Sequence, residues 1–241
     1  MKIALTGYGK MGRTVERVAV ERGHEVALII DTPADWSARG DALAGCDVAI
    51  EFSTPATAEE NIRRCLRAGV PVVAGTTGWY DRLDAVKAEC AAVDGALFVA
   101  SNFSIGMNIA FELNRRLAEL TDKAGGYTAA VTETHHIHKL DAPSGTAIHL
   151  AEDIVAVRGG SWRLVDNDAA ACDGEVAVKA IRRGEVPGIH EVRFDSPFDT
   201  ITLTHDAKSR DGLAQGALLA AEFLKGKKGF FTMKDLLGNQ R

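Results

Sequence analysis

The chain has 241 residues, of which 46% are hydrophobic, and that is enough to bury one substantial core or two smaller ones. Its formal net charge is -5 and it has no long cluster of lysine and arginine, so we expect no nucleic-acid partner. The apolar run before Gly7 is too short for a signal peptide or a membrane span. The composition therefore predicts a cytoplasmic protein with no membrane partner.

Strands and helices alternate over the first part of the chain. Hydrophobic periodicity predicts strands at 2–6, 25–30, 47–51, 70–74 and 96–100, and helices at 11–22, 57–68 and 80–93. The strands are almost continuously apolar, which is typical of strands that helices cover on both faces. The pattern predicts an α/β fold with a Rossmann-type doubly wound parallel sheet, and we assign residues 1–103 to a dinucleotide-binding domain.

The alternation ends after Asn102, where Ser104 is predicted to cap a helix that carries Ile105, Ile109, Leu113 and Leu117 at four-residue spacing. Further elements are predicted as a strand at 127–134, a helix at 144–157, strands at 175–182, 190–195 and 200–205, and a helix at 212–224. The last three strands have no helices between them, which favours an open mixed or antiparallel sheet. We therefore predict a second, α+β domain over 104–210 for substrate binding and oligomerisation. The C-terminal segment 211–241 is expected to return to the first domain.

The four cysteines are widely separated and form no C-x-x-C pair. They are Cys46, Cys65, Cys90 and Cys172. This spacing is typical neither of a zinc cluster nor of a disulfide-rich secreted protein. We expect reduced, mostly buried thiols.

A glycine-rich loop follows the first predicted strand and opens the first predicted helix. It consists of Gly7, Tyr8, Gly9, Lys10, Met11 and Gly12. In a G-x-G-x-x-G loop the first glycine permits a tight turn, the second lets the backbone approach a pyrophosphate, and the third allows close packing of the helix. The phosphates lie at the helix N-terminus. The position of this loop between strand and helix favours dinucleotide binding over an ordinary turn.

Asp31 stands at the end of the second predicted strand, where an acidic residue accepts hydrogen bonds from the ribose hydroxyls of a dinucleotide. Its charge would repel a 2′-phosphate, so NADH is favoured as the cofactor. NADPH remains possible, because Lys10 or Arg13 could reach a 2′-phosphate.

Three more loops follow predicted parallel strands at their carboxyl ends, where ligands bind in such sheets. They are Phe52-Ser53-Thr54-Pro55, Gly75-Thr76-Thr77-Gly78 and Ser101-Asn102-Phe103. Contact with the cofactor and plain turn chemistry are both open for these loops.

A histidine-rich segment contains His135, His136, His138 and Lys139. Metal binding is one reading, but no convincing further set of ligands is near in the sequence, so we predict no metal. A structural role for His136 and His138 is another, and His24, His149, His190 and His205 are expected to be structural. Acid–base chemistry is favoured because histidine holds and delivers a proton near neutral pH. In an extended strand His135 and Lys139 would be about 13 Å apart, so we predict a turn that brings both to one ligand.

An anion-binding helix start follows this segment. Ser144 is placed to cap a helix, and the amides of Gly145 and Thr146 would point toward an anion. With Lys139 as a second positive element, the site suits a small substrate that carries one or two carboxylates.

The pattern E-x-H-H-x-x-K-x-D-A-P-S-G-T-A from Glu133 to Ala147 resembles the signature of the dihydrodipicolinate reductase family. The order of Gly7 to Gly12, Gly75 to Gly78, Ser101 to Gly106 and then this segment also resembles the family. Arg182-Arg183-Gly184 and Gly188-Ile189-His190 are similar to its later motif.

The resemblance implies a homotetrameric enzyme of lysine and diaminopimelate biosynthesis that reduces a cyclic unsaturated dicarboxylate with NADH or NADPH. It implies that His135 is the general acid, that Lys139 binds and stabilises the substrate, and that His136, Ser144, Gly145 and Thr146 hold the carboxylates. The cofactor residues it implies are Gly7, Met11, Gly12, Asp31, Phe52, Gly75, Thr77, Ser101 and Phe103. The compact first loop and the short segment after Asp31 depart from the commoner family pattern and bear on the choice between NADH and NADPH.

Two other readings stay open. One is a different NAD-dependent dehydrogenase with the same two domains, acting on an amino acid or a semialdehyde. A thioester-forming semialdehyde dehydrogenase needs a cysteine nucleophile, and none of the four cysteines has such a context. The other is a dinucleotide sensor without enzymatic activity, which would have little use for a proton donor beside an anion site.

Overall fold

A computed structural model describes residues 1–166 and 174–238. The chain divides into two compact units, one made of Met1–Ser104 and Arg210–Arg241 and the other of Ile105–Ser209. Cys172 lies outside the described residues. No helix in the described parts of the chain is both long enough and apolar enough to cross a membrane.

The elements alternate between strand and helix up to β5 and then change pattern. The strands are β1 Lys2–Thr6, β2 Glu25–Ile30, β3 Val48–Glu51, β4 Val72–Ala74, β5 Ala96–Val99, β6 Thr128–His135, β7 Ser161–Val165, β8 Glu175–Arg182, β9 Ile189–Asp195, β10 Thr200–Asp206 and β11 Gly229–Phe231. The helices are α1 Lys10–Glu21, α2 Pro33–Arg39, α3 Ala58–Arg67, α4 Leu83–Ala92, α5 Ile105–Ala124, α6 Gly145–Arg158, α7 Asp211–Phe223 and α8 Met233–Leu236. Short 3-10 helices span Gly40–Gly45 and Tyr80–Arg82.

The first unit contains a parallel sheet with the strand order β11-β5-β4-β3-β1-β2. β2 lies on one side of β1, and β3, β4, β5 and β11 follow in order on the other side. The switch point of the sheet is therefore between β1 and β3. Burial explains the order, because β1, β3, β4 and β5 are almost entirely buried, as strands covered on both faces must be. The prediction of a Rossmann-type doubly wound parallel sheet is confirmed.

The second unit contains a mixed sheet with the order β10-β9-β6-β8-β7. β9 pairs antiparallel with β10 and β6, whereas β8 pairs parallel with β6 and β7. Helices α5 and α6 pack on this sheet over a core that includes Phe111, Ile154, Val131 and Phe194. The predicted mixed sheet of an α+β domain is confirmed.

The helix predicted after Ser104 forms as α5, but two of its four aliphatic residues at four-residue spacing face away from the core. Ile109 and Leu113 are 46% and 47% exposed, whereas Met107, Ala110 and Phe111 are buried. The packed side of the helix is formed by Met107, Ala110, Phe111 and Ala118, and Ile109 and Leu113 lie on a different side.

Several short elements are absent from the sequence prediction. It leaves the region after Asp31 unassigned, but α2 forms there with Thr32 as its N-cap in a capping box with Asp35. It also omits β7, β11 and α8. The last two have only three and four residues, so they carry too little periodicity to be read from the sequence.

The C-terminal segment completes the first unit. β11 extends the parallel sheet beside β5, and α7 packs against α1. Arg22 and His24 both contact the carboxylate of Glu222 on α7, at 2.8 and 2.9 Å. Gly216 approaches the backbone of Phe103 so closely that a Cβ at this position would lie 1.7 Å from the Phe103 carbonyl oxygen.

Three of the four cysteines lie in the described part of the chain. Cys46, Cys65 and Cys90 are free, and the last two are buried. Burial raises the pKa of the Cys65 thiol to about 12, so this thiol is inert at neutral pH.

Candidate active site

The glycine-rich loop has the geometry of a dinucleotide-binding loop. Gly7 has φ +93°, and a Cβ there would lie 2.2 Å from the carbonyl oxygen of Phe52. A Cβ at Gly12 would lie 2.4 Å from the carbonyl oxygen of Gly7, whereas a Cβ at Gly9 would meet no described atom within 4 Å. The first glycine therefore makes the turn, the third packs the helix, and the second leaves its backbone open to a ligand.

The start of α1 is suited to an anion. Gly9 is its N-cap, and among the described residues no side chain makes the capping hydrogen bond. The first turn contains no acidic residue, so the helix dipole favours a bound phosphate.

Asp31 lies against this loop. Its Oδ1 accepts a hydrogen bond from the backbone N–H of Tyr8 at 2.7 Å, and the residue is exposed. The guanidinium of Arg13 stacks 4.5 Å above the Tyr8 ring. Lys10 is exposed at the start of α1. An exposed carboxylate therefore lies next to the glycine-rich loop, and the nearby Arg13 is engaged with an aromatic ring.

A buried carboxyl group joins the loops that follow β3 and β4. Glu51 is fully buried, and its Oε1 accepts hydrogen bonds from the backbone N–H of Ser53 at 2.8 Å and from the Thr76 hydroxyl at 2.9 Å. Its Oε2 has no hydrogen-bond partner among the described residues. Burial raises the pKa of Glu51, against the opposing effect of the bonds from Ser53 and Thr76.

The other predicted cofactor residues occupy loops at the same edge of the parallel sheet. A Cβ at Gly75 would lie 2.1 Å from the Phe52 ring, and this ring makes an edge contact with Phe103 at a centroid distance of 5.8 Å. Phe103 is buried, whereas Thr77 and Ser101 are exposed. The buried ring of Phe103 therefore packs against the ring of Phe52, and Thr77 and Ser101 are accessible to a ligand.

The histidine-rich segment of the second unit leaves β6 in a turn, as the sequence predicts. His135 is the last residue of β6, and the backbone N–H of Lys139 donates to the His136 carbonyl at 3.2 Å. The N–H of Ile137 is held by the carbonyl of Gly184 at 3.1 Å. The ammonium of Lys139 contacts both carboxylate oxygens of Asp141 at 2.8 Å.

Glu133 lies at the centre of this site. It is fully buried, and because side chains two residues apart on a strand share a face, it lies on the same face of β6 as His135. Its Oε2 is 3.1 Å from Nδ1 of His135 and 3.8 Å from Nε2 of His190, which is its cross-strand neighbour on β9. Its Oε1 accepts hydrogen bonds from the N–H of Ser144 at 2.9 Å and from Arg182 at 3.1 Å.

These contacts determine the charges of the cluster. Burial alone would raise the pKa of Glu133, but its contacts with His135, Ser144 and Arg182 outweigh that effect and lower the pKa to about 2. Burial, followed by the neighbouring His135, lowers the pKa of His190 to about 4. At neutral pH Glu133 is therefore a carboxylate and His190 is a neutral imidazole.

The carboxylate of Glu133 orients His135. With Nδ1 facing Glu133, the other ring nitrogen, Nε2, is directed away from the carboxylate. A Cβ at Gly188 would lie 3.0 Å from this Nε2, so the absence of a side chain at position 188 leaves room beside it. His135 is thus positioned to exchange a proton through Nε2.

Arg182 connects the turn to the cluster. Its guanidinium contacts Glu133 Oε1 and the carbonyl oxygens of Lys139 and Asp141. One side chain therefore holds the backbone on both sides of Leu140 against the buried carboxylate.

The helix start after the turn is formed as predicted. The Ser144 hydroxyl accepts a hydrogen bond from the Ala147 N–H at 3.2 Å and caps α6. Ser144 is buried and its hydroxyl lies 3.4 Å from Nε2 of His190, whereas Gly145 is exposed and Thr146 is half-buried. The exposed backbone of Gly145 leaves this end of the helix open to an anion.

The structure does not give every histidine of the segment the same surroundings. His136 is half-buried, and its Nδ1 has no hydrogen-bond partner among the described residues. His138 is exposed and pairs with Glu185 at 3.1 Å. The two histidines in contact with Glu133 are His135 and His190, and neither His136 nor His138 is one of them.

The sequence analysis gave no functional role to Glu133 or Arg182, and it expected His190 to be structural, whereas the structure places His190 in the cluster around Glu133. The i, i+2 spacing of Glu133 and His135 on a predicted strand could have placed both on one face. His190 and Arg182 join them only through the registers Glu133↔His190 and His135↔Arg182, which the sequence does not reveal.

Models of the two domains of one family match the chain. The description "Dihydrodipicolinate reductase, N-terminus" covers residues 1–103 and "Dihydrodipicolinate reductase, C-terminus" covers residues 106–237. The chain belongs to the dihydrodipicolinate reductase family.

Curated relatives match the chain over nearly its full length. A 4-hydroxy-tetrahydrodipicolinate reductase of Christiangramia forsetii is 43% identical, over 99% of this chain and 98% of the relative. The enzyme of the same name from Methanopyrus kandleri is 34% identical, over 98% of this chain and 95% of the relative.

The fold is similar to that of a solved dihydrodipicolinate reductase from Paenisporosarcina sp. TG-14. That structure has dipicolinate bound. It superposes with a TM-score of 0.78 at 21% identity, over 96% of this chain and 97% of the other.

Proposed function

We propose that this protein is a 4-hydroxy-tetrahydrodipicolinate reductase of lysine and diaminopimelate biosynthesis. The observation that carries the proposal is the Glu133–His135 pair beside the Ser144 helix start, in a chain that shares 43% of its residues with a relative of that name. A proton donor beside an anion-binding helix start suits a reaction that adds a hydride and a proton to a dicarboxylate. The domain roles follow: residues 1–103 bind the dinucleotide, 104–210 bind substrate and hold the oligomer, and 211–241 belong with the first domain.

The dihydronicotinamide, when bound, supplies a hydride to the conjugated substrate ring. His135 delivers the proton to the atom that develops negative charge, directly from Nε2 or through a water molecule. Glu133 faces Nδ1 and orients the ring, so that Nε2 is the nitrogen from which the proton is delivered. The 4-hydroxyl group leaves as water to give the conjugated ring. The hydride and the proton then add two electrons and two hydrogens to that ring, so the products are tetrahydrodipicolinate, water and the oxidised dinucleotide.

The substrate carboxylates are bound by the second unit. The amides of Gly145 and Thr146 at the start of α6, the Ser144 cap and His136 would hold one or both of them. Lys139 supplies a positive charge to the substrate. In the structure its ammonium is paired with Asp141, so substrate binding exchanges one carboxylate partner for another.

The cofactor is proposed to be NADH, with NADPH as a weaker alternative. Gly7, Tyr8, Gly9, Lys10, Met11 and Gly12 would hold the pyrophosphate. Phe52, Gly75, Thr77, Ser101 and Phe103 would line the rest of the cofactor site. The exposed carboxylate of Asp31 beside the Tyr8 N–H supports the preference, because it suits two ribose hydroxyls and repels a 2′-phosphate.

The protein is further proposed to be a cytoplasmic homotetramer, as the family resemblance implies. Sedimentation of a species with four times the mass of the 25.7-kDa chain would test the assembly.

The test is oxidation of NADH with freshly generated 4-hydroxy-tetrahydrodipicolinate, with NADPH measured in parallel. We expect turnover with both and a higher kcat/KM with NADH. His135→Asn should lower kcat by about 10²- to 10⁴-fold with a smaller change in KM, since it removes the proton donor. Absence of turnover with both cofactors would reject the function, and an unchanged kcat in His135→Asn would reject the role of His135 alone.

A further inference from the structure

Three side chains of the second unit direct potential metal ligands toward one point. Glu133, His135 and His190 each offer one ligand atom, and these atoms all lie within 4.8 Å of one another. All three residues are buried, and their strands β6 and β9 are paired directly, which holds the donors in place. Sequence reasoning expected no metal because it found no further ligands close to His135, and the tertiary structure supplies two.

The polar atoms at this point lack partners. Glu133 Oε2 and His135 Nδ1 are both buried and have no hydrogen bond of good geometry among the described residues, although they lie 3.1 Å apart. Buried polar atoms are normally hydrogen-bonded, so a pair of this kind points to a further group. Oε1 of the same carboxylate, in contrast, is occupied by Ser144 and Arg182.

The donor set and its spacing fit a transition metal. Two imidazole nitrogens and one carboxylate oxygen form a set that zinc takes in proteins, with room for a water or hydroxyl as a fourth ligand. Ligands about 2.0–2.1 Å from a tetrahedral ion lie about 3.4 Å from one another. The Glu133 oxygen lies 3.1 Å from His135 Nδ1 and 3.8 Å from His190 Nε2, and all three ligand atoms lie within 4.8 Å of one another, so side-chain movements bring them to this separation.

A neighbouring charge limits the strength of binding. Arg182 lies beside the carboxylate of Glu133 and opposes a second positive charge. We therefore expect a reversible site that is weaker than a structural zinc site.

We propose that Glu133, His135 and His190 bind a divalent transition-metal ion, with Zn²⁺ preferred, and that this ion inhibits the enzyme. The Ser144 hydroxyl, 3.4 Å from His190 Nε2, lies close enough to contribute a fourth ligand. A metal on Nδ1 occupies the lone pair that would otherwise take up a second proton, so His135 cannot become the imidazolium. The ring then keeps only the Nε2–H of a neutral imidazole, and the proposed acid is lost. The inhibition rests on the proposed function, whereas the binding site does not.

Binding is tested without reference to activity. The full-length protein is freed of metal with EDTA, desalted and titrated with Co²⁺, whose visible absorption bands report nitrogen and oxygen ligation, and Zn²⁺ is then used to displace it. We expect one ion per chain. Glu133→Gln and His190→Asn should each weaken binding at least about 10-fold, since even outer partners of a metal site change affinity by 10- to 100-fold.

His149→Asn is the matched control. This histidine belongs to the same unit and lies 3.6 Å from a carboxylate oxygen of Asp153, but it is outside the cluster and half of its surface is exposed. Binding should be unchanged in this variant, and thermal unfolding checks that all three variants are folded. Binding that survives both cluster variants, that is lost in His149→Asn, or that has no defined stoichiometry would overturn the site.

Inhibition is measured on the same proteins. Zn²⁺ should stop NADH oxidation by the wild-type protein, and EDTA should restore it. In His190→Asn the concentration for half-inhibition should rise in parallel with the loss of Co²⁺ binding. Binding without inhibition would overturn the regulatory part, and a protein that binds the metal but has no reductase activity would leave the site standing while the proposed function fails.

Discussion

His135 is oriented by groups that belong to three different strands. Glu133 on its own strand faces Nδ1, His190 on β9 contacts the same carboxylate, and Arg182 on β8 closes the other side of it. The other ring nitrogen, Nε2, lies beside Gly188, which has no side chain to occupy the space next to it. The proposed proton transfer therefore depends on a glycine as much as on the charged residues.

Gly188→Ala tests this arrangement. The added Cβ would lie 3.0 Å from His135 Nε2, so the ring or the backbone must shift. We expect kcat to fall by about 10²-fold, the usual effect of a misplacement near 1 Å, with less change in KM. Gly212→Ala is the control, since a Cβ there meets no described atom within 4 Å. A correctly folded Gly188→Ala with normal kcat would contradict proton delivery through Nε2.

Helix α7 shows how a single element closes the first unit. Its buried face is made of small residues, including Ala214, Gly216, Ala217 and Ala220. This face lets the helix approach α1 and the backbone at Phe103. Phe103 belongs to one of the proposed cofactor loops. The helix was predictable from the sequence, but the need for glycine at position 216 follows from the distance to Phe103.

Gly216→Ala is expected to destabilise the protein even though alanine favours helix formation. The gain in helix propensity is about 1 kcal/mol. The added methyl group would lie 1.7 Å from the Phe103 carbonyl oxygen, and overpacking of this kind typically costs about 1–3 kcal/mol, at times more. Urea unfolding should therefore show a lower midpoint for Gly216→Ala than for the wild type. A midpoint equal to that of the exposed-glycine variant Gly212→Ala would show that α7 tolerates the methyl group.

The pH dependence of stability belongs to the molecule as a whole, because buried ionisable groups lie in both units. Glu51 in the first unit has a raised pKa, whereas His190 in the second has a pKa lowered to about 4. Above pH 4.5 the unfolded state releases the proton of Glu51, whereas the native state still holds it. This residue therefore contributes its full stabilisation below pH 4.5, and the contribution is lost as the pH rises through the native pKa. His190 acts in the opposite direction between pH 4 and 6.5.

Glu51→Gln separates the two effects. An amide cannot ionise but can still accept the bonds from Ser53 and Thr76, so the variant keeps the neutral form of the site. The free energy of unfolding of the variant relative to the wild type should increase as the pH rises from 4.5 toward 8, because only the wild type must hold Glu51 protonated against the rising pH. Denaturant unfolding at a series of pH values provides the measurement. A constant difference across this range would show that burial does not perturb Glu51.

Much of the architecture could be predicted because it depends on local patterns. The strand at 25–30, the G-x-G-x-x-G loop and the Ser144 cap are encoded by neighbouring residues, and the structure shows all three. Ile109 and Leu113 were misleading, since their spacing fits a buried face, but Met107, Ala110 and Phe111 form the packed side of α5. The short strand β11 escaped prediction because three residues carry no periodic signal.

The sequence by itself determined the fold class, the family resemblance and the identity of His135, Lys139 and Ser144 as candidates, because each rests on spacing along the chain. Only the tertiary structure decided what surrounds them. The parallel β6–β8 and antiparallel β6–β9 registers bring Arg182 and His190 to Glu133, across 49 and 57 positions of the sequence. Strand pairing depends on contacts between distant segments, and no local pattern specifies which residues will face each other across a mixed sheet.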